Sequence, residues 1–189
     1  MSVLKVSDVS FSFGNRTILE NASFVMQKGE HIGLIGLNGE GKSTFIKMIT
    51  GSLTPDSGKI EWCKRITTGY LDQYTTLTKG KTIREVLREA FKHMYDLEQE
   101  MNQMYEKMCD CTEEEMNELL IETGEIQSEL ESSGFYELEA KIEEVAFGLG
   151  LKDLGLDHDV SDLSGGQRSK VLLTKLLLAQ PMILILDEP

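Results

Sequence analysis

Cysteine, long apolar runs and basic charge are all in short supply in this 189-residue chain. Three cysteines, Cys63, Cys109 and Cys111, are an odd number with no disulfide-framework spacing. That usage points to a reducing cytosol. The N-terminus, MSVLKVSDVS, has no apolar stretch after a basic start, so no signal peptide is expected. The apolar stretch Met182–Leu186 is far too short to span a bilayer. These absences exclude a secreted mini-protein and an integral membrane protein. No long-period repeat and no low-complexity tract is present. The length suits one domain with a core large enough to fold without staples.

Basic residues are outnumbered, 19 against 32 acids, for a formal net charge of −13. Over the whole chain such an excess argues against a polyanionic partner. Its position changes that reading. Between Arg84 and Phe147 stand 19 of the acids and only 5 of the bases, a net −14. The remainder, with 13 acids and 14 bases, is close to neutral at +1. A composition shift of this kind marks an inserted subdomain.

The pattern along the chain agrees. Val3–Val6, Asn21–Met26, Lys59–Trp62 and Ile66–Leu71 read as strands, and Val9, Phe11 and Phe13 alternate with polar residues. His31–Ile35 is a further apolar run expected to be a strand, ending at Gly36. Ser43–Ile49 has helical spacing. From Ile83, through Leu87, Ala90, Met94, Leu97, Met101 and Met104 to Met108, apolar residues follow a heptad seam. One helix is expected there, running to about Cys109. Thr82/Glu85 and Thr112/Glu115 are capping boxes. Met116, Leu119, Thr123, Ile126 and Leu130 make a second seam, broken at Ser132-Ser133-Gly134 before a shorter third. The expected fold class is therefore α/β with a mixed sheet and an antiparallel β edge, carrying an inserted helical hairpin. The divisions expected are 1–82, 83–149 for the hairpin, and 150–189.

Three motifs carry chemistry. Gly36-Leu37-Asn38-Gly39-Glu40-Gly41-Lys42-Ser43 matches G-x-x-x-x-G-K-[ST] between an expected strand and an expected helix. Its glycines let backbone N–H groups turn inward around phosphates, and the helix end adds a positive pole. Lys42 supplies a point charge for β- and γ-phosphates, and Ser43 a hydroxyl for Mg²⁺. Met182–Leu186 reads as a parallel strand buried on both faces, ending in Asp187 and Glu188. Asp187 is placed to hold Mg²⁺ and Glu188 to polarise a water. Leu163-Ser164-Gly165-Gly166-Gln167 opens a helix, with Ser164 as N-cap and two glycines leaving N–H groups open to a second phosphate.

In this order the motifs resemble the ATP-binding cassette family of ATPases. Gly36–Ser43 resembles its Walker A motif, Leu163–Gln167 its signature, and Ile183–Glu188 its Walker B motif with the following glutamate. The resemblance implies the P-loop cassette fold, ATP and Mg²⁺ as ligands, and ATP hydrolysis. It gives Gly36, Asn38, Gly39, Gly41, Lys42, Ser43 and Thr44 to the nucleotide, and Ser164, Gly165, Gly166 and Gln167 to a nucleotide shared with a second cassette. Gln73 resembles the Q-loop glutamine that senses Mg²⁺ and the attacking water. Phe13 resembles the aromatic residue that stacks on adenine, with Phe11 as its rival. Catalytic roles fall to Glu188, Lys42 and Gln73, and metal ligation to Ser43, Gln73 and Asp187.

The hairpin between Gln73 and the signature resembles the arm of the ABC-F subfamily, soluble two-cassette proteins associated with ribosomes, translation and antibiotic resistance. That resemblance implies a cytoplasmic chain, a ribosome as partner and no membrane insertion. Two alternatives stay open: the nucleotide-binding subunit of a membrane transporter, and a non-hydrolysing fragment. The chain stops at Pro189, before the family's D-loop and switch histidine, so a fragment lacking the second cassette is expected.

Smaller features have plain readings. Cys109-Asp110-Cys111 has no third ligand nearby, so free thiols are expected and no structural metal. The methionines at 94, 101, 104 and 108 suit seam packing. Arg84, Arg88 and Lys92 form a basic stripe that meets rRNA phosphates or pairs with Glu85 and Glu89 on a solvated face. Elsewhere the hairpin's outer face is expected to avoid rRNA and prefer basic ribosomal proteins or solvent.

Overall fold

The computed structural model describes residues 2–71 and 77–187, except for the side chain of Asp110. The chain divides into two compact units, one of residues 1–73 with 181–189 and one of residues 74–180.

The first unit opens with two long strands, β1 (Ser2–Phe13) and β2 (Arg16–Gln27), joined by a tight turn at Gly14-Asn15. With β3 (Ser57–Trp62) they form an antiparallel sheet in the order β2-β1-β3. Of the alternation Val9, Phe11, Phe13, the first two face the core and Phe13 does not. Leu4, Val6, Val9 and Phe11 are buried against Met48 of helix α1 (Lys42–Ile49), with Phe24, Phe45 and Trp62 packed around them. Trp62 donates its Nε1–H to the Ile49 carbonyl at 2.8 Å, which satisfies the polar end of a large half-buried ring.

A second sheet is a parallel pair, β4 (Thr68–Leu71) beside β5 (Ile183–Leu186). The parallel strand expected at Met182–Leu186 is therefore present, at Ile183–Leu186, but it is not buried on both faces. Ile185 is buried while Leu184 and Leu186 remain more than a third exposed. The strand expected at His31–Ile35 does not form. An apolar run becomes a strand only where a neighbour takes its backbone hydrogen bonds. Among the described residues no strand pairs with it, and Ile35 is 95% exposed.

The second unit is helical. Helix α2 (Ile83–Arg88) starts at the Thr82/Glu85 capping box. After a 3₁₀ turn at Glu89–Phe91 comes α3 (Lys92–Lys107). Helix α4 (Glu113–Ser132) starts at the Thr112/Glu115 box and ends before Gly134, whose φ of 72° suits glycine. Helices α5 (Leu138–Gly148) and α6 (Gly165–Leu178) complete the unit.

The single helix expected from Ile83 to Cys109 is thus two helices. Its seam serves two cores. Ile83, Val86 and Leu87 pack with Ile142, Ala146, Leu151, Val171 and Leu178. Met101 and Met104 pack instead with Ile126, Leu130, Phe135 and Leu138 in the hairpin. The chain bends where the seam passes from one core to the other. Full burial of one side chain such as Leu130 contributes about 1.5–3 kcal/mol. Thr123, in the same seam, is buried and returns its hydroxyl to the Leu119 carbonyl at 2.8 Å. Among the described residues, no helix is long and apolar enough to cross a membrane.

Candidate functional site

The glycine-rich loop leads straight into α1. Its last glycine, Gly41, is the N-cap, with φ 103° and ψ 13°. Phe45 N–H donates to the Gly41 carbonyl at 2.8 Å and closes the first turn. The Lys42 ammonium folds back over the loop and donates to the carbonyls of Gly36 at 2.9 Å and Leu37 at 3.0 Å. Glu40 accepts from the Leu37 N–H at 2.8 Å. The loop is thereby shaped by its own side chains, with a cation at its centre and a helix N-terminus behind it.

The β1–β2 hairpin supplies the other wall. Phe13 pairs in register with Arg16 at the hairpin tip. Arg16 donates through Nη2 to the Gly39 carbonyl at 2.9 Å and so latches the hairpin to the loop. A cavity of about 460 Å³ results, lined by Phe13, Arg16, Ile18, Asn38, Gly39, Gly41, Lys42, Ser43 and Thr44. The two candidate aromatics part company here. Phe11 is buried in the core, whereas Phe13 is 57% exposed and reaches the cavity, edge-on to Phe11 at 4.8 Å between ring centres. A lining that combines a flat apolar ring with an ammonium, a hydroxyl and a helix terminus suits a base carrying phosphates.

Arg16 and Ile18 line the cavity but belong to none of the three motifs. The signal lay in Phe13-Gly14-Asn15-Arg16, a two-residue hairpin turn between alternating strands, which sets Arg16 opposite Phe13.

Asp187 follows β5, is buried, and is tied through its N–H to the Leu71 carbonyl at 3.3 Å. Gln73 and Glu188, named as candidates from the sequence, lie outside the described residues. Ser164 caps α6: its hydroxyl accepts from Gln167 N–H, and Gln167 Oε1 accepts from Ser164 N–H at 2.8 Å. Leu163 is buried and anchors this end, while Ser164, Gly165 and Gly166 are exposed. Ser164–Gln167 belong to the second unit and the glycine-rich loop to the first.

The basic stripe is committed within the second unit, but not to Glu85 and Glu89. Arg84 holds Glu139 at 2.8 Å, Glu143 at 3.1 Å and Asp157 at 3.2 Å. Arg88 holds Glu139 at 2.6 Å and lies 5.4 Å from the Tyr95 ring centre. Lys92 pairs with Asp96. Glu85 is used in its capping box, and Glu89 pairs with Lys81 and Lys175. Helix α5 and the segment near Asp157 thus supply carboxylates that spacing along one helix does not show. Burial pushes the Glu139 carboxyl upward, but hydrogen bonds from Arg88, Tyr95 and Arg84 outweigh it and bring it down to about 2. Burial, then the hydrogen bond to Glu139, pushes the Tyr95 phenol up to about 12. Cys109 is exposed and Cys111 half-buried, both as free thiols.

A sequence profile described as "ABC transporter" matches residues 19–189. The chain belongs to the ABC transporter family. Among ABC transporter family relatives, it is 57% identical to the uncharacterized ABC transporter ATP-binding protein YfmM of Bacillus subtilis, over all of this chain and 36% of that one. It is 32% identical to the energy-dependent translational throttle protein EttA of Mycobacterium tuberculosis, over 99% of this chain and 33% of that one. The chain therefore spans about a third of the length of these relatives. A solved structure of an ATP-binding subunit of an ABC transporter shares its fold, with TM-score 0.62 and 25% identity, over 99% of this chain and 66% of the other.

Proposed function

We propose that the chain is the ATP-binding part of the first cassette of an ABC-F factor that hydrolyses ATP on the ribosome. The observation that carries the ATP reading is the single cavity shared by Phe13, Lys42, Ser43 and Thr44. The α3–α4 hairpin and the likeness to a translational throttle protein support the ribosomal part. In this reading Phe13 stacks on adenine, and the N–H groups of Gly36–Thr44, Asn38 among them, hold the phosphates. Lys42 neutralises the β- and γ-phosphates. Ser43, Gln73 and Asp187 would hold Mg²⁺, which when bound offsets charge on the phosphate oxygens. Glu188 takes a proton from the attacking water, with Gln73 orienting that water. Ser164, Gly165, Gly166 and Gln167 face a nucleotide carried by a second cassette. The protein works in the cytoplasm.

Co-sedimentation of the full-length protein with ribosomes tests this. Glu188→Gln, with ATP, should pellet with ribosomes and the wild type with ADP should not. A Glu188→Gln protein left in the supernatant would remove the ribosomal reading. The likeness to a transporter's ATP-binding subunit favours a second reading, as that subunit. Stable co-purification with a membrane-spanning protein, without ribosome binding, would select it.

A further inference from the structure

Two carboxylates flank the bend between α2 and α3. Phe91, at the junction, takes φ −118° and ψ 23°, outside helical geometry. A short 3₁₀ stretch inside a helical run is a common site of a hinge. Glu89 opens that stretch. It receives Lys81 Nζ on one oxygen and Lys175 Nζ on the other, each at 2.5 Å. Lys175 sits in the last turn of α6. Glu139, on α5, accepts from Tyr95 Oη at 2.7 Å, Arg88 Nε at 2.6 Å and Arg84 Nη1 at 2.8 Å.

The two nodes divide the work. Tyr95 is in the first turn of α3, while Arg84 and Arg88 are on α2. Glu139 therefore crosses the bend and ties the hairpin root to α2. Glu89 then ties the end of α2 to α6 by charge, beside the apolar packing of Val86 and Leu87 on Val171 and Leu178. Burial raises the Glu89 carboxyl, but Lys175 and Lys81 hold it below its ordinary range, so the carboxylate stays charged between them. Helix α6 runs unbroken from Gly165 to Leu178. Lys175 lies ten steps along from the helix's first residue, about 15 Å at the helical rise. An unbroken helix is the kind of rigid element that can carry coupling from Lys175 to the Ser164 cap.

We infer that Lys175 is a positioning residue, through which the root of the α3–α4 hairpin sets the Ser164–Gln167 end of α6. The inference rests on the reading of Ser164–Gln167 as a nucleotide-facing motif. It differs from a pair of independent surface braces, because a chain of contacts is broken by losing either link while independent braces fail separately.

The test is a double-mutant cycle in the full-length chain. Tyr95→Phe removes only the hydroxyl on Glu139, and Lys175→Met removes only the ammonium on Glu89. Amide hydrogen exchange without nucleotide should rise at both 91–97 and 165–171 in each variant. Each should lower kcat for ATP about fivefold with KM little changed, and the double variant should be no worse than the weaker single. Lys175→Arg should restore exchange and kcat. Exchange that rises only beside the substituted residue, or kcat losses that multiply in the double variant, would overturn the inference. A wild-type chain without ATP turnover would defeat the ATPase reading instead, and the exchange data would still decide whether the link exists.

Discussion

Ile18 closes over Gly41. A Cβ on residue 41 would stand 2.2 Å from Ile18 Cγ2, and the residue holds φ at +103°. Glycine is required there twice over, once for the backbone and once for the neighbour. This contact brings β2 against the glycine-rich loop, so that Phe13 and Arg16, at the tip of the same hairpin, reach the cavity.

Gly41→Ala is expected to destabilise the chain by about 1–3 kcal/mol and to weaken ATP binding. Adding Ile18→Ala should recover the steric part but not the backbone part, because only the first depends on the neighbour. Urea unfolding of the two variants separates them; full recovery by the second substitution would show that φ carries no strain.

Glu139 gives the second unit an acid-sensitive brace. Its folded carboxyl is depressed to about 2 from the ordinary 4.5, so its contribution is complete above pH 4.5 and fades as pH falls toward 2. Glu139→Gln should cost about 1 kcal/mol at pH 7, a modest value because the partners are partly exposed. The gap between variant and wild type should close toward pH 2. Unfolding midpoints at neutral and acid pH check this; a gap independent of pH would assign the effect to packing.

Much of this arrangement is legible from local chemistry. The Thr82/Glu85, Thr112/Glu115 and Ser164/Gln167 pairs announce their helix starts because a cap is satisfied within four residues. The glycine-rich loop is equally local. What the sequence hides is long-range. The seam from Ile83 to Met104 is continuous, and nothing in its spacing says that Leu87 and Met101 enter different cores. Arg84 finds Glu139 and Glu143, 55 and 59 residues away, rather than a neighbour on its own helix. The run at His31–Ile35 has strand-like residues, but strand formation depends on a pairing partner that composition does not reveal. Phe11 and Phe13 share one alternation, and only the end of the core separates the buried ring from the exposed one.

ATP binding by this chain is expected to depend on the loop at Gly36–Thr44. Equilibrium ATP titration of the chain, wild type against Lys42→Ala, measures this dependence. The expected result is saturable binding to the wild type and at least about tenfold weaker binding to the variant, since one ammonium facing two phosphates is removed. Equal affinity in both, or no binding to the wild type, would contradict it.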